Sequence, residues 1–189
     1  MLGGNTVSAR AVGGSPASLA AGFTLVELLI AMAVFAIVVA MAMPSLTSVV
    51  NNNRLTTQAN SLIADFQLAR SEAVRRNRTV RLCRTTDGAT CASAVGDWSR
   101  WLVVVPAATP EILRDFTPKA PMEVTSDVAN VDFRSDGLAR NSTGGLLATN
   151  FTVCIPTALP PQNTRTVSMV GGSRLNAVAG AHSTPGSCP

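Results

Sequence analysis

Between Phe23 and Met43 lie 21 residues carrying a single charge, Glu27. As a helix, a run of that length rises roughly 30 Å, enough to cross the hydrocarbon core of a bilayer. Whatever else the chain does, it must hide this stretch in lipid or against other protein. Residues 1–22 precede it; they are small and polar, with Arg10 as their one charge, and read as a leader peptide rather than a fold. The apolar run outlasts an ordinary signal-peptide core and lacks an A-x-A-like end. The segment is therefore expected to stay attached after processing.

Pro44 follows at once, and a proline there removes one helical hydrogen bond, so a kink or short break is expected. Beyond it, Leu55, Ala59, Leu62, Phe66, Ala69 and Ala73 recur at helical spacing and predict an amphipathic helix over 44–77 with one buried stripe. Gln58, Asp65, Arg70 and Arg76 fall largely on other faces. Glu72 and Arg76 are four apart in the favourable order.

From Thr79 the pattern turns to short strand-like runs separated by turn residues, giving a β-rich head over 78–189. Strands are expected near Thr79–Arg84, Trp98–Val105, Glu111–Phe116, Met122–Thr125, Val131–Arg134, Phe151–Ile155 and Arg165–Val170. Asp87-Gly88 and Asp136-Gly137 mark turns. The nearly unbroken apolar run Arg100–Val105 belongs in the middle of the head. Residues 138–189, rich in Gly, Pro and Thr, fit either extra strands or long loops. The fold class is α+β: one long N-terminal helix whose second half packs on a β-rich head.

Cys83, Cys91, Cys154 and Cys188 contain no CxxC, and with His182 as the one histidine a Cys/His zinc site is not supported. An even count behind a membrane segment points to disulfides in an oxidising compartment. Three pairings exist. Cys83–Cys91 would close a short loop and Cys154–Cys188 would tie the tail to a strand; four buried thiols are the alternative.

No nucleophile with an adjacent base, no phosphate loop and no dinucleotide fingerprint occurs, so no enzyme, metal, cofactor or small-molecule substrate is expected. The net charge is +4, and after Asp136 there is no acid while Arg140, Arg165 and Arg174 remain. That bias suits a polyanion, or simply a solvated face.

Gly22-Phe23-Thr24-Leu25-Val26-Glu27 at the head of the apolar run resembles the processing site of type IV prepilins. The resemblance implies that a prepilin peptidase cuts between Gly22 and Phe23 and methylates the new Phe23 amine. It also implies that Glu27 meets that amine on an adjacent subunit during assembly. A carboxylate in hydrocarbon costs at least about 2.5 kcal/mol, so a partner for Glu27 is physically reasonable; snorkelling to the nearby interface is the alternative. Inner-membrane attachment with a periplasmic head follows from the same resemblance, as does assembly into a filament.

Gln67-Leu68-Ala69-Arg70-Ser71-Glu72-Ala73, Val80-Arg81-Leu82-Cys83 and Gly96-Asp97-Trp98 are similar to the FimT/GspH class of minor pilins and pseudopilins, in which Trp98 would open a core strand. The class implies a minor pilin that primes a type IV pilus or a pseudopilin of a type II secretion system. Some members bind DNA through G-R-x-R near the C-terminus. Here the matching stretch is Gly171-Gly172-Ser173-Arg174, with Gly172 in place of the first arginine. Arg174, helped by Arg165 and Arg140, would then be the candidate DNA contacts of a receptor for natural transformation.

Overall fold

The computed structural model describes residues 22–141 and 143–189; the leader proposed for residues 1–22 lies outside them except for Gly22. The chain divides into two compact units, with the boundary between Met41 and Ala42. One helix, α1 (Leu25–Arg76), runs through both. Pro44 lies within it and does not end it, so the short break expected there is absent.

Within the second unit α1 buries the predicted stripe. Leu55, Ala59, Leu62, Phe66, Ala69 and Ala73 are all at most 1% exposed. Gln58 and Asp65, assigned above to other faces, are also buried. Spacing could place them beside the stripe, but their polarity argued for the surface. The helix stops in a Schellman turn: the Arg78 N–H reaches the Ala73 carbonyl and the Asn77 N–H the Val74 carbonyl, both at 3.2 Å. Asn77 takes the left-handed conformation this turn requires, with φ 51°.

Eight strands follow: β1 (Val80–Arg84), β2 (Trp101–Val105), β3 (Glu111–Phe116), β4 (Glu123–Ser126), β5 (Asn130–Phe133), β6 (Thr149–Cys154), β7 (Thr164–Val170) and β8 (Arg174–Gly180). They form two antiparallel four-stranded sheets, ordered β3-β2-β1-β5 and β4-β6-β7-β8. Seven strands match expected ones within a few residues. β8 is the eighth, in the stretch left open between strands and loops. Trp98 does not open β2; it stands three residues before it, buried, its backbone N–H on the Val124 carbonyl at 2.7 Å and its indole N–H on the Val128 carbonyl at 3.0 Å.

β2 is buried at every residue because both of its faces are covered. One face joins the main core with Trp98 and Phe66. On the other, Leu102 and Val104 pack with Cys83 against Cys91. Cys83 and Cys91 are bonded, Cα–Cα 5.6 Å, and the loop between them is organised by one carboxylate. Asp87 accepts from Thr85 Oγ1 and from the Ala89 and Thr90 N–H groups, which holds its carboxyl well below the usual range.

The two sheets meet at Phe66. Its ring packs edge-on to Phe133 of β5 at 6.4 Å and to Phe151 of β6 at 5.0 Å, so one helical side chain touches both. Trp98 adds a second edge-on contact to Phe151 at 4.8 Å, and Trp101 stacks on Phe116 at 4.7 Å. Cys154 is bonded to Cys188, Cα–Cα 5.7 Å, and pins the tail to the end of β6.

Candidate functional site

The first unit's described part is an uncovered apolar helix. Phe23 and the large apolar residues from Leu25 to Met41 are exposed, as is Glu27. By length and composition this is the one helix among the described residues able to cross a membrane. Its start is built locally. Thr24 Oγ1 accepts the Glu27 N–H at 3.2 Å and the Thr24 carbonyl accepts the Leu28 N–H at 3.1 Å, so Thr24 is the N-cap. Sequence reasoning passed over this cap, although Thr24-x-x-Glu27 is a capping-box pattern. The cap places Glu27 in the first helical turn, where the helix dipole favours a negative charge. Among the described residues the Glu27 carboxylate has no hydrogen-bond or ion-pair partner. Gly22 and Phe23 precede the helix and are exposed.

Arg75, Arg76 and Arg81 are taken up in ion pairs. Glu72 takes Arg75 at 2.6 Å and Arg76 at 2.7 Å; Arg76 also reaches Glu111 at 2.7 Å. The two guanidiniums hold the Glu72 carboxyl down at about 2. Arg81 makes a fork with Asp132 at 2.6 and 2.7 Å.

Arg140, Arg165 and Arg174 do not come together as a DNA site. Arg140 is paired with Asp136 at 2.9 Å. Arg165 donates to the Thr164 carbonyl at 2.7 Å and to Asn52 on α1. Arg174 stands opposite Val170, whereas Arg165 stands opposite Ala179 at the other end of the same hairpin. Five residues along a strand is roughly 17 Å and an odd step, which turns the two side chains to opposite faces. Gly172, where an arginine would complete the motif, has φ +71°, and a Cβ there would lie 2.5 Å from the Ala139 carbonyl oxygen. Its N–H and carbonyl are bound to Leu147 and Ala139 at 2.9 and 2.8 Å. No group of three or more metal-ligating side chains occurs among the described residues.

An apolar helix starting at a processing-type sequence, continued into a head of two antiparallel sheets, defines a pilin-like subunit. Residues 58–173 match the family model of the type II transport protein GspH, and residues 18–43 match the prokaryotic N-terminal methylation motif. The chain belongs to the GspH family. Among solved structures, the type IV minor pilin FimU of Pseudomonas aeruginosa aligns in two crystal forms. The P65 form has 21% identity and a TM-score of 0.50 over 66% of this chain and 92% of that one. The P21 form has 22% identity and 0.51 over 66% and 88%. The minor pseudopilin EpsH of the Vibrio cholerae type 2 secretion system aligns at 12% identity and 0.49, over 67% of this chain and 97% of that one. Among curated protein sequences none matches significantly. The chain is thus a pilin-like subunit of the GspH family that carries an N-terminal methylation motif.

Proposed function

We propose that the chain is a minor pilin of a type IV pilus, made as an inner-membrane precursor and cut between Gly22 and Phe23 by a prepilin peptidase. The observation that carries this reading is the exposed apolar helix whose first turn holds Glu27, without a partner among the described residues. Cleavage supplies a free amine at Phe23, and N-methylation keeps its charge. In the span, Glu27 of one subunit and the Phe23 amine of its neighbour neutralise each other, which offsets the cost of each in hydrocarbon. Pro44, just past the span, gives the helix a point of adjustment between the packed span and the head. The role is structural: to prime assembly or cap the tip with other minor pilins.

Mass spectrometry of the mature chain tests this directly. It should begin at Phe23, carry one methyl group and contain no free thiol. Glu27→Ala should leave cleavage largely intact while impairing incorporation into filaments. A full-length, uncut chain in working filaments would defeat the proposal.

The family model's description favours a second reading, a pseudopilin of a type II secretion system. The two disulfides suit an oxidising compartment, periplasm or cell exterior, and so fit either reading. Neighbouring genes for pilus assembly, as against a secretion operon, separate the two.

A further inference from the structure

The two sheets present four edge strands, and three of them are closed. β4 has four residues, and its Val124 carbonyl already accepts the Trp98 N–H. β5 is as short, and Phe133 at its end bridges to Ala139. β3 carries Glu111, Arg114 and Asp115, each in an ion pair, and its register with β2 shifts between Val103 and Val104. Brevity, charge and irregularity are the devices by which sheets keep their edges from pairing.

β8 is neither short nor irregular. It is seven residues long, its one charge is Arg174 at the first position, and its register with β7 is unbroken from Val170↔Arg174 to Thr164↔Gly180. Asn176, Ala177, Val178 and Ala179 are all exposed. Among the described residues, no backbone hydrogen bond outside the sheet involves residues 174–180. A row of free N–H and C=O groups recognises one chemistry, an extended peptide backbone. Seven residues offer a seat of roughly 24 Å. At its start a hollow of about 400 Å³ is lined by Val170, Arg174, Leu175 and Asn176: apolar walls, one guanidinium and no acid.

Resting on the filament-subunit reading above, we propose that β8 docks an extended, uncharged or acidic segment of another filament subunit. That segment adds a fifth strand to the second sheet, with Arg174 meeting a carboxylate near one end. On this account Arg174 serves protein partners.

The test uses the full-length chain in cells that assemble the filament, with a photoactivatable benzophenone side chain at position 178. Irradiation should yield an adduct with a different subunit, mapping to one contiguous segment of it. Replacing Asn176 and Val178 together by Lys should cut incorporation on the order of tenfold, about the loss of one moderate contact. Val178→Thr, which keeps the edge uncharged, should leave it unchanged. Intact disulfides in each variant report a folded head. No adduct, an adduct only to another copy of this chain, or full incorporation of the double-lysine variant would overturn the docking edge and leave the filament reading standing. A chain never cut before Phe23 would overturn both.

Discussion

Trp101 Nε1 donates a hydrogen bond to Asp65 Oδ2 over 2.8 Å, tying the head-packed half of α1 to an interior strand of the first sheet. Asp65 is fully buried, and Arg114 Nε sits 2.8 Å from its other oxygen as an ion pair, though not at a hydrogen-bonding angle. Burial raises the Asp65 pKa; the Trp101 bond and Arg114 pull it back only in part. Because the native state holds this proton more tightly, its contribution is greatest at low pH and is lost as pH rises through the folded pKa. Asp65→Asn keeps an acceptor for Trp101 and should remove that pH dependence. Asp65→Ala orphans the indole N–H and should cost about 1–3 kcal/mol. Unfolding of the full chain in detergent, followed by the fluorescence of Trp98 and Trp101, reads both.

Glu72 should behave with the opposite sign. Its carboxyl is held at about 2 by Arg75 and Arg76, so the stability it supplies is present above its unfolded value near 4.5 and is lost as pH falls from there towards 2. Glu72→Gln should flatten the acid limb of the unfolding profile in that window and leave neutral pH nearly unchanged. An unaltered acid limb would count against the Arg75–Glu72–Arg76 cluster.

Phe66→Ala should be among the most destabilising single changes, costing about 3–5 kcal/mol, since a fully buried ring is lost between both sheets. Phe66→Leu, which keeps most of the volume, should cost markedly less. Denaturant midpoints at constant slope make the comparison.

The two disulfides should differ in worth. Cysteines 34 apart in Cys154–Cys188 and 8 apart in Cys83–Cys91 differ by about 1 kcal/mol in chain entropy, within typical values of about 2–4 kcal/mol each. Replacing Cys154 and Cys188 by Ser should also expose the tail to proteolysis beyond Gly180. Asn163 would still bond it, through the His182 N–H and the Ser187 carbonyl.

Gly172→Arg completes a G-R-x-R sequence, yet the structure predicts damage rather than gain. The positive φ and the Ala139 carbonyl 2.5 Å from a Cβ leave no room, so the change should cost about 2 kcal/mol or more. It should create no salt-sensitive DNA binding by the chain in a mobility assay.

The residues that announced their place in the sequence are those whose chemistry has one solution. The Leu55–Ala73 stripe can only face a core, and Trp101–Val105 needs cover on both sides. The Phe23–Met43 run with Glu27 was equally plain. Asp65 and Gln58 were not legible, because a polar side chain argues for water unless its buried partner is already known; for Asp65 that partner lies 36 residues on. β8 escaped because Leu175 is its one large side chain packed on the core, which leaves no alternation to display. Nor could the sequence indicate that Gly172 is stitched to Ala139 and Leu147, which is what spoils the arginine motif.

Phe66 grips both sheets from a single helical position. A pull along the helix therefore reaches both halves of the head through one shared side chain. Under tension such a subunit should give way in one abrupt step, a mechanical fuse rather than a zip.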